Sequence, residues 1–119
     1  MVENALHSPL AEPSTTANRR AAVRWRYEGR AQCRTLGTKL DEWVSGAARD
    51  ISIQAIALLL GTRPPRGAIL EVQLQSAEGG FLPARLARVR RAVAQGTGQW
   101  LVGCTFARKL SEAELQSLL

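Results

Sequence analysis

Six residues could do chemistry here: Arg19, Arg20 and Arg24, then Asp50, Ser52 and the position of Ala55. Three guanidinium groups close together, next to a polar leader without periodicity, can wrap an anion that a rigid surface would meet from one side only. A planar guanidinium also suits bidentate pairing with a phosphate or a guanine edge. Asp50 and Ser52 are short polar side chains one residue apart, so in an extended segment both point to the same side. The other reading is that they close a turn by bonding nearby backbone groups. Directly after them, Ala55 to Leu60 (AIALLL) has no polar side chain. That run fits a buried strand, ended by Gly61.

The rest of the composition argues for binding rather than catalysis. The only histidine, His7, lies in the leader, and no carboxylate stands in an evident acid/base pair with a nucleophile. No glycine-rich phosphate loop of the common nucleotide-binding types is present. Two cysteines, Cys33 and Cys104, are too few for a disulfide framework and have no zinc spacing. The net charge is +6, and only Lys39 and Lys109 among the 16 basic residues are lysines. No apolar run approaches the 18 residues of a membrane span, and the N-terminus lacks the pattern of an export signal, so a cytoplasmic protein is expected. No cofactor is expected.

The elements that must position these residues follow from the pattern. Residues 1–18 (Met1 to Asn18) read as a flexible leader and 19–119 as one domain. From Val23 to Cys33 the chain alternates: Val23, Trp25, Tyr27, Gly29, Ala31 and Cys33 on one side, charged or polar residues on the other. That period of two predicts a half-buried strand, with Gly29 marking a bulge or bend. Further strands are predicted over Trp43–Ala48, Ala55–Leu60, Ala68–Gln75, Leu82–Val93 and Gln99–Ala107. The imperfect alternation of the fifth suggests a bulge. Ser111 and Glu114 form a capping box for a final helix whose Leu115, Leu118 and Leu119 share a face. Six strands in sequence without crossover helices imply antiparallel pairing, and closure into a barrel removes exposed edges.

With those elements in place, the sequence resembles the PilZ domain, the bacterial receptor module for cyclic di-GMP, from about Arg19 to Leu119. The family is marked by Arg-x-x-x-Arg and, later, [Asp/Asn]-x-Ser-x-x-Gly. Arg20-Ala21-Ala22-Val23-Arg24 fits the first, and Asp50-Ile51-Ser52-Ile53-Gln54-Ala55 fits most of the second. The segments Pro64-Pro65-Arg66-Gly67 and Trp100 to Phe106 are similar too. The resemblance implies an all-β fold, a six-stranded antiparallel, split-barrel-like β-barrel with a C-terminal α-helix. It also implies a ligand, cyclic di-GMP, often bound as an intercalated dimer, held by Arg19, Arg20, Arg24, Asp50, Ser52 and the backbone at Ala55. Asp50 would accept from guanine N1–H and N2–H₂, and Ser52 would donate to an oxygen. Arg90, outside both marks, is expected to be dispensable. Ordering of the arginine segment on the ligand would pass a signal to an unidentified protein partner. Ala55 departs from the family's glycine, which would supply either a positive φ or room for the ligand. The alternative is a degenerate member that binds no nucleotide and works through protein contacts. Non-specific nucleic-acid binding is disfavoured, because the few aromatics look structural.

Overall fold

The computed structural model describes residues 23–37 and 42–119. The expected leader, residues 1–18, and Arg19 and Arg20 lie outside the described residues. Seven strands and one helix follow in order: β1 (Trp25–Arg26), β2 (Arg30–Thr35), β3 (Val44–Ile51), β4 (Ala55–Leu60), β5 (Ile69–Leu74), β6 (Arg85–Ala94), β7 (Trp100–Phe106) and α1 (Glu112–Leu118). All pairings are antiparallel. The sheet runs β3-β2-β5-β6-β7-β4, and β4 returns to pair with β3, so the ring closes.

The expected first strand is broken in two. β1 pairs with β3 through Trp25↔Ile51 and Arg26↔Asp50, and β2 pairs with the earlier part of β3 through Arg30↔Ala47 to Cys33↔Val44. Both halves lie along the same edge of β3, so six walls form the barrel although seven strands are counted. The break is at Tyr27–Gly29, where four residue steps on this side oppose three on β3. Tyr27 turns inward there, and its Oη donates to the carbonyl of Gln75 at 2.5 Å. Burial pushes the phenol up to about 12, and the bond to Gln75 opposes that shift. The ring leaves no space at Gly29: a Cβ there would lie 2.5 Å from Cζ and Oη of Tyr27.

Two further irregularities shape the outer wall. Between Ala48 and Asp50 the β3–β4 register slips by one, with Arg49 as the extra residue. Between Val89 and Arg91 the β6–β7 register slips likewise, with Arg90 extra. A bulge of this kind sends two consecutive side chains to the same face. Ala48 and Ile51 are buried while Arg49 and Asp50 face out, and Val89 is buried while Arg90 and Arg91 are both exposed. The second bulge answers to the imperfect alternation of the sequence. The first lengthens the expected Trp43–Ala48 strand to Ile51, so that it carries Asp50.

Inside the ring, Ile51, Ile56, Leu58, Leu70, Val72, Val89 and Val102 are fully enclosed. The helix closes one end. Ser111 Oγ accepts from the Glu114 N–H and the Glu114 carboxylate accepts from the Ser111 N–H, completing the expected capping box. The Ser111 N–H and then the Arg85 guanidinium hold the Glu114 carboxyl below its ordinary range. Leu110, Leu115 and Leu118 are buried against the barrel.

Cys33 on β2 and Cys104 on β7 are buried free thiols, pushed from the ordinary 9.0 up to about 12 by desolvation. Because the folded value is raised, this contribution to stability is intact below the unfolded thiol's range. It declines as pH climbs towards 12, where the unfolded chain releases protons that the folded one retains. Both thiols are therefore expected to resist alkylation at pH 8 in the native protein and to react on unfolding, a difference that mass spectrometry after iodoacetamide reads directly.

Candidate functional site

The β1–β3 pairing decides where the arginines go. Arg26 lies directly opposite Asp50, and the same antiparallel register carried one step back sets Arg24 beside Ser52. Side chains at Arg24 and Arg26 share the outer face with Asp50, and the diagonal neighbour on a sheet face is within reach of a long side chain. Arg24 uses that reach: its Nη1 donates to Asp50 Oδ1 in an ion pair, with both groups partly exposed. Arg26 instead stands 3.7 Å from Glu28. An acid and a guanidinium 26 residues apart in sequence are thus joined on the outer wall, where solvent limits such a pair to about 0–1 kcal/mol.

Ser52 takes a different place. It is only 3% exposed, and its Oγ accepts from the N–H groups of Gln54 at 3.2 Å and Ala55 at 3.0 Å. The hydroxyl therefore holds the tight turn from Ile51 to Ile56, which the Ser52 N–H to Ala55 carbonyl bond closes at 2.8 Å. Of the two readings open for these side chains, the outward one describes Asp50 and the turn-closing one describes Ser52. The remaining turn carbonyls are taken by distant residues: Phe106 N–H donates to Gln54 and Leu110 N–H to Ile53. Ser52 thus positions the backbone around Ala55 and does not present its hydroxyl on the wall.

Ala55 begins β4 opposite Thr105 of β7. Among the described residues no non-glycine residue has a positive φ, so Ala55 carries no backbone strain. Of the two reasons for a glycine here, only room for a ligand remains. Ala55→Gly is accordingly expected to strengthen binding of a ligand lying on this wall, by roughly tenfold if the methyl costs about 1.4 kcal/mol. The same change is expected to lower thermal stability, since glycine in a strand costs about 0.5–1 kcal/mol. Calorimetry and a melting curve on one variant check both signs; relief of strain would have raised the melting temperature instead.

The floor beside Asp50 is built from small residues. Asp50 pairs with Ala57, Ala57 with Gly103, and Gly103 with Arg91. The only sequence signal for this row was a glycine inside an alternating strand, between buried Val102 and Cys104. The row itself depends on three long-range registers. Arg49, sent outward by the first bulge, was not foreseen either. Among the described residues no group of His, Cys, Asp and Glu could hold a metal ion.

A closed antiparallel barrel with a C-terminal helix and this arginine–aspartate wall defines a class of small binding domains. The PilZ domain profile matches residues 18–119, and the chain belongs to the PilZ domain family. Solved structures agree on the fold. The chain is similar to the Bacillus subtilis inhibitor of motility, MotI/DgrA, with a TM-score of 0.61 at 17% identity, covering 80% of this chain and 46% of that one. It is also similar to MrkH of K. pneumonia in its apo state, with a TM-score of 0.56 at 20% identity, covering 78% of this chain and 45% of that one. A second MrkH structure gives 0.57 at 20% identity, covering 82% and 45%. The chain thus matches less than half the length of those proteins. No curated protein matches the sequence. Among the described residues no helix is long and apolar enough to cross a membrane.

Proposed function

We propose that this domain is a receptor for cyclic di-GMP. The observation that carries the reading is the Arg24–Asp50 pair, which brings the last arginine of one family mark onto the acid of the other. Both groups are partly exposed, and each offers what a guanine nucleotide needs. The carboxylate accepts from the N1–H and N2–H₂ edge, and the guanidinium forks onto O6 and N7 or onto a phosphate. Binding exchanges the ion pair for contacts to the ligand. Arg19 and Arg20 join from the preceding segment, and Ser52 keeps the Ala55 backbone in place. The ligand is taken either singly or as an intercalated dimer. Ordering of the arginine segment then presents a new surface to a protein partner. The family's members are receptor modules rather than enzymes, and we place this one in the cytoplasm, in keeping with its reduced cysteines.

A second reading is a family member that has given up the nucleotide and acts by protein contacts. The Ala55 methyl on the binding wall and the inward Ser52 hydroxyl favour it. Calorimetric titration separates the two. With cyclic di-GMP at about 100 µM, any affinity beyond about 5 kcal/mol gives heat. Saturable heat supports the receptor. Silence in calorimetry together with an unmoved melting temperature would leave only the second reading.

A further inference from the structure

The β6 bulge places two consecutive arginines on the same outer wall as Asp50, and neither belongs to a family mark. Arg91 lies opposite Gly103, and its Cγ is 3.9 Å from where a Cβ on that glycine would be, so its side chain runs beside the open face of Gly103. Among the described residues Arg91 has no hydrogen-bond or ion-pair partner. Arg90 is fixed next to it: its Nε donates to Thr105 Oγ1 at 3.0 Å, and Thr105 is the residue directly opposite Ala55. Without the bulge, period-two alternation would have sent one of the two side chains into the core.

From this geometry we infer that Arg90 and Arg91 form a second anion-binding arm, which takes the phosphodiester of the cyclic dinucleotide farther from Arg24. The inference rests on the receptor reading. The two arms face each other across β4 and β7. Strands lie about 4.8 Å apart, so β3 and β6 are about 14 Å apart at this row, and long side chains reach inward from both. The residues between them, Ala57 and Gly103, are small and rise little above the backbone, with Ala57 buried and Gly103 partly exposed. Asp50 and Arg24 hold one side of that ligand. A cyclic dinucleotide carries two phosphates on opposite sides of its ring, so the second phosphate falls towards β6. Arg91, without a partner among the described residues, offers a planar cation there, and Arg90 is aimed by Thr105. The expectation that Arg90 is dispensable is therefore revised. Arg88 of the same strand does not take part, because its Nη1 donates to the Gly67 carbonyl on the other side.

The test is calorimetric titration of the full chain with cyclic di-GMP, using Arg91→Ala, Arg90→Ala, the double variant and Arg66→Ala. Arg66 is an exposed arginine of the β4–β5 loop and removes the same charge. Arg91→Ala is expected to raise Kd at least about tenfold, Arg90→Ala by less and the double variant most, with Arg66→Ala within about twofold. Melting temperatures of all four should stay near that of the unaltered chain, since the changes are on the surface. If the unaltered chain binds and Arg91→Ala binds as tightly, the second arm is refuted and the receptor reading stands. If Arg91→Ala and Arg66→Ala weaken binding equally, the effect is that of net charge and the arm is refuted too. If the unaltered chain does not bind at all, both readings fall together.

Discussion

Arg24→Ala is expected to lower the affinity for cyclic di-GMP by about 10- to 100-fold while leaving the fold intact. The first half follows from what the guanidinium does when ligand is present: a charge-assisted bond to a phosphate or base is worth about 1.5–3 kcal/mol. The second half follows from what it does without ligand. Among the described residues its only ion-pair partner is Asp50, and both groups keep solvent access. Removing one side of such a pair leaves a carboxylate that water still reaches, so the stability change should stay under about 1 kcal/mol. The measurement is a pair of curves, a calorimetric titration and a thermal melt, on the same preparation. A variant that binds normally would mean that Arg24 serves Asp50 alone. A variant that unfolds would mean that the pair is part of the core's support.

Gly29→Ala should do the reverse, costing about 1–3 kcal/mol of stability through overpacking. The added methyl would stand 2.5 Å from the Tyr27 ring. That ring resists displacement, because it is buried and its Oη is tied to the Gln75 carbonyl. The glycine has no positive φ, so the conflict is one of space and not of backbone conformation. This gives a specific check: in a Tyr27→Leu background the cost of Gly29→Ala should shrink, giving a coupling energy well away from zero in a double-mutant cycle. Additive effects would show that the ring is not the obstacle.

Much of the architecture was legible because alternation reports burial directly. Tyr27, Ala31 and Cys33 are buried as the period of two required, and Ser111 with Glu114 marked the helix start by local chemistry alone. The break at Gly29 was signalled by the glycine, but the Tyr27 ring that causes it is held by Gln75, 48 residues beyond Tyr27 in sequence. The bulge at Arg90 showed itself because Val89-Arg90-Arg91-Ala92 disturbs a clear pattern. The bulge at Arg49 did not, since Gly46-Ala47-Ala48 is too uniform to assign a face. The candidate site was less legible. For Asp50 the spacing left an outward and a turn-closing reading open, and the bulge at Arg49 decides for the outward one. Ser52 could not be assigned either, because its turn is anchored by Phe106 and Leu110. Arg91 gains its meaning only from the register that sets it against Gly103.

Closure of the ring has a kinetic consequence. Each of the six walls is bonded to a neighbour on both flanks over at least part of its length, so detaching any one of them tears two seams simultaneously. Amide protons around the circumference are therefore expected to exchange together, through concerted opening, and not in a gradient from one side. Beyond Val89, β6 pairs with β7 alone among the described residues, so its far half keeps one bare border.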